Sequence, residues 1–207
     1  RVDKKEITVA LAGNPNVGKS TVFNALTGLK QHTGNWTGKT VDLASGKTER
    51  NGVIYNFIDI PGTYSLKPRS KEETIAGKFI CFGNAEVVAV VCDATGLERN
   101  LYLVLQIIET GADTVVCVNL LDEAKKKGIR VNTALLEKEL GVPVVGMTAR
   151  DGEGVEELLN KLKNKSYRKA LSIKYNPDIE SAVEYVIPVL KKHNINTVNE
   201  KWLALRL

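Results

Sequence analysis

The first residues able to do chemistry stand together near the start of the chain, at Gly13-Asn14-Pro15-Asn16-Val17-Gly18-Lys19-Ser20. Two glycines, a lysine and a hydroxyl at this spacing form the phosphate-cradling pattern GxxxxGK[ST]. Gly13 and Gly18 let the backbone wrap closely round an anion. Successive N–H groups and the N-terminus of a following helix add partial positive charge. Lys19 brings a full charge to the β- and γ-phosphates. The Ser20 hydroxyl can ligate Mg²⁺, and Thr21 beside it completes the contact set. The alternative is an ordinary glycine-rich turn between a strand and a helix.

This loop alone does not choose a nucleotide. Three later motifs do. Asp59-Ile60-Pro61-Gly62 reads DxxG; its Asp can hold Mg²⁺ through water and its Gly62 N–H can sense a γ-phosphate. Asn119-Leu120-Leu121-Asp122 reads NxxD. A carboxylate at Asp122 can accept from both N1–H and the 2-amino group of guanine, a pair that adenine lacks. An unpaired carboxylate facing adenine costs free energy, so the pattern selects GTP over ATP. Asp122 could equally cap a helix that begins at Glu123. Thr148-Ala149-Arg150 resembles the SAK-type loop whose backbone N–H meets the guanine O6. DxxG and NxxD are weak patterns singly; four motifs in this order are specific.

The elements that must position these groups can be read from apolar periodicity. Residues 7–12 form a continuous apolar run that stops at the glycine-rich loop, as a buried parallel strand does. A helix is predicted over 19–27, closed by Gly28. Residues 30–40 show no period and read as a loop. Two strands follow, over 41–48 and 53–59, joined by the turn-prone Asn51-Gly52. A helix is predicted over 71–80. Then the alternation repeats: strand 86–92 and helix 97–110, strand 114–118 and helical segments between 123 and 140 broken by Gly128, strand 142–146 and helix 153–164. DxxG therefore closes the third predicted strand, NxxD follows the fifth, and the SAK-like loop the sixth. Strand–helix alternation means an α/β fold with a mostly parallel sheet; the hairpin adds one antiparallel edge strand. Beyond residue 167 no strand pattern remains. Asn176-Pro177-Asp178 opens a helix to about Lys192 whose last turns Pro188 should disturb, and a second helix begins near Asn199.

Composition agrees with a globular domain and excludes several classes. The chain has 207 residues, 43% apolar and 26% charged, so it can bury a core. No apolar run reaches the ~18–20 residues of a membrane span. No signal-peptide h-region follows the charged start. The missing initiator Met, and an end inside the apolar-periodic run Trp202-Leu203-Ala204-Leu205, lead us to expect a piece of a longer protein. Net charge is +5 and the pI about 9.0, but the lysines are spread out as solvated helix faces and no nucleic-acid partner is expected. Cys92 and Cys117 sit in apolar runs and read as buried hydrophobes. With Cys81 they lie in separate elements without ligand spacing, and His32 and His193 are too far apart for a zinc site.

The order and spacing of the motifs resemble the G domain of Ras-type P-loop GTPases. Three longer strings narrow this: Gly34-Asn35-Trp36-Thr37-Gly38-Lys39-Thr40-Val41, Asp59-Ile60-Pro61-Gly62-Thr63-Tyr64-Ser65-Leu66, and Asp93-Ala94-Thr95-Gly96-Leu97-Glu98-Arg99-Asn100-Leu101-Tyr102-Leu103. Over residues 5–165 they resemble the cytosolic N-terminal part of the ferrous iron transporter B family (FeoB). The resemblance implies a six-stranded P-loop GTPase sheet with helices on both faces, a G domain over 1–166, and over 167–207 the truncated start of a helical, GDI-like domain. It implies a cytoplasmic segment joined to a transmembrane iron permease in the same polypeptide, with GTP and GDP as ligands; self-association stays open. The implied Mg²⁺ ligands are Ser20, Asp59 and a switch threonine. Thr37 and Thr40 are both candidates; Thr40, immediately ahead of Val41, has the expected position, with Gly38 and Lys39 beside it.

Two positions bear on mechanism. Thr63 follows the DxxG glycine where Ras-type enzymes carry the water-orienting glutamine, and it is too short for that task, so slow hydrolysis is expected. Asn16 stands where Ras has a glycine, and the resemblance implies that its carbonyl helps to hold K⁺, a cation replacing an arginine finger. Alternatively Asn16 only bonds the loop backbone. The catalytic set is then Asn16, Lys19, Thr40 and Gly62. Two other functions compete: an Era-like RNA- or ribosome-associated GTPase, which would need a KH-type or basic aromatic element after residue 165, and a nucleotide sensor that hardly turns over.

Overall fold

The computed structural model describes residues 5–28, 32–35, 42–67, 70–164, 171–192 and 198–207. The chain runs β1 (Lys5–Gly13), α1 (Lys19–Thr27), β2 (His32–Asn35), β3 (Asp42–Arg50), β4 (Val53–Asp59), α2 (Lys71–Phe82), β5 (Val87–Asp93) and α3 (Leu97–Glu109). It continues through β6 (Thr114–Asn119), α4 (Leu121–Lys126), α5 (Thr133–Leu140), β7 (Val144–Gly146), α6 (Val155–Asn164), α7 (Pro177–Lys192) and α8 (Glu200–Ala204).

The strands form one sheet in the order β2-β3-β4-β1-β5-β6-β7. From β4 to β7 every pairing is parallel, and β3 runs antiparallel to β4. All six strands read from sequence are present, in a mixed sheet flanked by helices. One strand more lies at the edge. His32–Asn35, inside the stretch read as a loop, pairs antiparallel with residues 42–45, so β2 and not β3 is the outermost strand. Its polar sequence carries no period, and backbone pairing with β3 is what makes it a strand.

Side-chain alternation divides each central strand between two cores. Ile7, Val9 and Leu11 of β1 pack with Val22, Phe23 and Leu26 of α1 and with Leu158, Leu159 and Leu162 of α6. Ala10 and Ala12 face the other way, toward Phe79 and Ile80 of α2 and Leu103, Val104 and Ile107 of α3. Both faces are covered, which is why these strands read as unbroken apolar runs. The Asn51-Gly52 turn has positive φ at both residues, 52° and 75°, as a two-residue hairpin requires.

Helix α7 does not stop at Pro188 but continues to Lys192. Losing a backbone donor there costs up to about 3 kcal/mol, and the burial of Val183 and Leu190 on the same helix offsets it. The C-terminal helices rest on the α/β body. Trp202 of α8 joins the α2–α3 core, the Asn199 N–H donates to the Thr110 carbonyl at 2.8 Å, and the Leu171 N–H donates to the Leu140 carbonyl. Among the described residues no helix is long and apolar enough to cross a membrane.

All three cysteines are free and buried. Burial pushes the Cys81 thiol up to about 11, against a smaller opposing pull from Arg206, and the Cys117 thiol up to about 12; Cys92 is raised further by burial, then by Cys117 and Asp93. Only the thiolate attacks electrophiles. The folded protein at pH 8 should therefore leave all three unmodified by iodoacetamide, and denaturant should expose all three, as mass spectrometry would count. If the pH is raised on the folded protein, Cys81 should react first.

Candidate functional site

The four motifs lie at the C-terminal ends of β1, β4, β6 and β7, along one edge of the sheet. Position follows from topology: in an open parallel sheet the loops that leave the strand C-termini share one crevice.

The loop between β1 and α1 is shaped by two glycines. At Gly13 an added Cβ would lie 2.6 Å from the Val91 carbonyl oxygen, and at Gly18 it would lie 2.5 Å from Asn119 Nδ2. Gly18 also has φ 80°, and it caps α1 with no side-chain bond, so the first N–H groups of α1 are not met by a capping side chain. Asn16 takes a positive φ of 65° and is exposed at the mouth of the loop. A cavity of 610 Å³ opens here, lined by Asn14, Asn16, Lys19, Ser20 and Gly62 among others. Lys19 Nζ is ion-paired to the Asp59 carboxylate, with both side chains largely buried. Gly62 approaches the first loop closely, for a Cβ there would sit 3.2 Å from the Pro15 nitrogen.

Asn14 is 1% exposed, and neither its Nδ2 nor its Oδ1 has a partner among the described residues. A buried amide left so costs about 1–3 kcal/mol. An orphaned amide beside a lysine, a serine and uncapped helix N–H groups fits a site completed by a polar anionic ligand. The Ser20 hydroxyl and Asp59 carboxylate are hard oxygen donors of the kind that suit Mg²⁺. The third proposed Mg²⁺ ligand, Thr40, lies outside the described residues, as do Gly38 and Lys39.

The DxxG loop is held by its own hydroxyls. Thr63 is fully buried; its N–H donates to the Gly13 carbonyl at 3.0 Å and its Oγ1 to the Ser65 carbonyl at 2.7 Å. Ser65 Oγ donates to Gln106 Oε1 of α3, and the Leu66 N–H donates to the same oxygen at 2.7 Å.

At the other end of the crevice Asn119, 1% exposed, donates to the Val17 carbonyl at 3.2 Å and accepts from the Ala149 N–H at 3.1 Å. It ties the first loop to the loop after β7. The chain turns sharply at Leu120, φ 63°, which swings Leu121 and Asp122 onto α4. Asp122 is paired with Arg150 at 2.9 Å, so this carboxylate already has a cation beside it. The Ala149 N–H is engaged by Asn119, and Thr148 is buried.

Two participants, Glu72 and Gln106, were not foreseen from sequence, and Arg150, read there as part of the loop after β7, makes a contact that was not. Glu72 of α2 reaches the cavity beside the first loop. Its own backbone N–H and the Ser70 hydroxyl hold its carboxyl below the usual range, so it is anionic at neutral pH. Gln106 carries the DxxG loop, and Arg150 clamps Asp122. Ser70 capping α2 through the Glu73 N–H is a signal that could have located Glu72; nothing local marks Gln106.

A family model described as ferrous iron transport protein B matches residues 7–162. The Fe(2+) transporter FeoB of Escherichia coli (strain K12) is 38% identical over 216 residues, which cover 98% of this chain and 27% of that protein. The chain thus spans about a quarter of the length of such relatives. Among solved structures, the cytosolic domain of the T. maritima FeoB iron transporter in a GDP form superimposes with a TM-score of 0.90 at 38% identity, over 97% of this chain and 80% of that one. The cytosolic domain of L. pneumophila FeoB gives 0.88 at 32% identity, over 96% and 86%.

Replacing Asn119 with Ala leaves the Val17 carbonyl and the Ala149 N–H unpaired in a buried setting. Asn119→Ala should lower unfolding free energy by about 2–3 kcal/mol, measured by urea denaturation without ligand. A loss below about 0.5 kcal/mol, the size of an ordinary surface substitution, would mean that the two loops are held by other contacts.

Proposed function

The chain belongs to the ferrous iron transport protein B family, and from that premise we propose that it binds GTP and hydrolyses it slowly, as the cytosolic regulatory part of a ferrous iron membrane transporter. The observation that carries this reading is the convergence of four guanine-nucleotide motifs on one sheet edge, with Lys19 and Asp59 in contact at the phosphate end and Asp122 at the base end.

Each residue has a role that its chemistry permits. The N–H groups of Gly13, Asn14, Pro15-Asn16-Val17 (proline itself supplies none), Gly18, Lys19, Ser20 and Thr21 cradle the phosphates at the N-terminus of α1. Lys19 supplies a full positive charge. Ser20, Asp59 and Thr40 would hold Mg²⁺, which supplies charge neutralisation across the phosphate oxygens. Ile60 and Pro61 carry the chain from Asp59 to Gly62, whose N–H faces the γ-phosphate, while Gly38 and Lys39 flank Thr40. Asp122 reads the guanine edge, and Asn119 with Leu120 and Leu121 sets its position. The loop of Thr148, Ala149 and Arg150 closes over the base, with Arg150 steadying the Asp122 carboxylate. Residues 1–166 would form the G domain, and 167–207 the opening of a helical domain leading toward a transmembrane permease at the cytoplasmic face.

Slow chemistry follows from Thr63. Its side chain is fully buried and its hydroxyl is spent on Ser65, so it orients no water. Asn16, exposed at the rim of the loop, is free to turn its carbonyl toward a monovalent cation, and K⁺ is the activator proposed. The Era-like alternative is not favoured, since the family match and these relatives are iron-transport proteins.

GTP hydrolysis should be faster in KCl than in NaCl at equal ionic strength by about tenfold, ~1.4 kcal/mol of barrier, and Asn16→Ala should lose that gain while still binding GDP. Equal slow rates in both salts would leave a GTP-dependent switch without cation assistance. Failure to bind GTP in preference to ATP would overturn the reading as a whole.

A further inference from the structure

We propose that Gln106 is a positioning residue that couples the DxxG loop to the C-terminal helices through the last turn of α3. The proposal rests on the reading of the site as a GTP switch, and it assigns the route by which that site reaches residues 171–207.

Gln106 is 8% exposed and lies in the body of α3, where a polar side chain is unusual. Its Oε1 accepts two hydrogen bonds from the loop that follows Gly62: the Leu66 N–H at 2.7 Å and the Ser65 hydroxyl at 3.2 Å. Ser65 in turn bonds Thr63, and the Thr63 N–H donates to Gly13. A continuous hydrogen-bonded path therefore runs from the loop after β1 to the last turn of α3.

The same helix holds the C-terminal helices one turn later. Residues three and four apart share a helix face. Glu109, three residues on, accepts from the Tyr175 hydroxyl at 2.6 Å. Thr110, four residues on, accepts from the Asn199 N–H at 2.8 Å. Asn199 caps α8 by accepting from the N–H groups of Lys201 and Trp202. Lys201 sits 5.5 Å from the Tyr175 ring and is ion-paired to Glu180 of α7. The last turn of α3 and its C-cap thus hold the DxxG loop at Gln106, the segment leading into α7 at Glu109 and the N-cap of α8 at Thr110.

An α-helix turn resists compression, so a displacement of Leu66 that drags Gln106 moves Glu109 and Thr110 with it. Among the described residues Gln106 serves as an acceptor, which makes the role testable by chemistry as well as by size. Gln106→Glu keeps an acceptor oxygen at this position; Gln106→Leu removes it.

Trp202 is the natural reporter. It is 8% exposed, packs in the α2–α3 core, and has Arg206 5.1 Å from its ring. The chain has two tryptophans, Trp36 and Trp202, so a Trp36→Phe background isolates it. In that background the emission of Trp202 should differ between the GDP form and the form bound to a non-hydrolysable GTP analogue. Gln106→Leu should abolish the difference at saturating nucleotide, and Gln106→Glu should restore it. Tyr175→Phe, which breaks only the far contact, should reduce the Trp202 response and leave the hydrolysis rate unchanged; this variant keeps the test open if Gln106→Leu does not fold. A full Trp202 response in Gln106→Leu, or in Tyr175→Phe should the first not fold, would overturn the coupling. So would nucleotide binding with no Trp202 response in the background protein. Absence of guanine-nucleotide binding altogether would instead strike at the GTP reading, and fluorescent-GDP titration separates the two failures.

Discussion

The upper edge of the sheet hangs on one buried carboxamide. Asn119 bonds Val17 and Ala149, residues that lie 102 and 30 positions away in the chain. Such a bond is worth only ~1 kcal/mol net, yet leaving its partners unpaired costs more. Around it the backbone has little room. Gly18 must lack a Cβ because Asn119 Nδ2 occupies that space, and Gly154 is similarly pressed by the Gly146 carbonyl oxygen at 2.4 Å. The loop after β1 and the loop after β7 are therefore held at a fixed spacing by this one side chain. Preorganisation of this kind lowers the ordering cost of binding.

The fold was legible wherever burial imposed a period. Central strands covered on both faces read as unbroken apolar runs, and α1 could be bounded to the residue because Gly18 and Gly28 both take the left-handed conformation. What escaped was decided by partners distant in sequence. The polar residues of β2 become a strand only because β3 offers its edge. In the site, the glycines, Lys19, Asp59, Asn119 and Asp122 announce themselves through spacing, since phosphate and guanine dictate residue types at short range. Gln106 does not, and Arg150, legible as part of the loop after β7, gives no sign of its pairing with Asp122. Their partners lie 40 and 28 residues away, and no local pattern marks a helix glutamine that serves a loop.

The two ends of the crevice differ in how their charges are met. At the phosphate end Lys19 and Asp59 neutralise one another in a partly buried setting, while Asn14 beside them keeps an unsatisfied amide. At the base end Asp122 is more accessible, and Arg150, itself exposed, balances it. An exposed pair contributes little to stability. Its worth lies in orientation, because a carboxylate restrained by a guanidinium samples fewer rotamers. The phosphate end is thus organised chiefly by buried electrostatics and backbone shape, the base end by side-chain restraint.

The DxxG loop shows which demand prevailed where chemistry and switching compete for the same residues. A residue after Gly62 that orients water must keep a long, polar side chain in the crevice. Thr63 instead turns inward, buries its methyl group and closes a local hydrogen-bonded turn with Ser65. That turn presents the Leu66 N–H and the Ser65 hydroxyl to a single oxygen of Gln106. The loop is consequently anchored at its start to Gly13 and at its end to α3. A side chain reaching out for water at position 63 would leave the Ser65 carbonyl and N–H without the Thr63 hydroxyl and loosen the second anchor. The arrangement gives the loop a defined mechanical connection to α3, the helix whose C-terminal end contacts Tyr175 and the N-cap of α8.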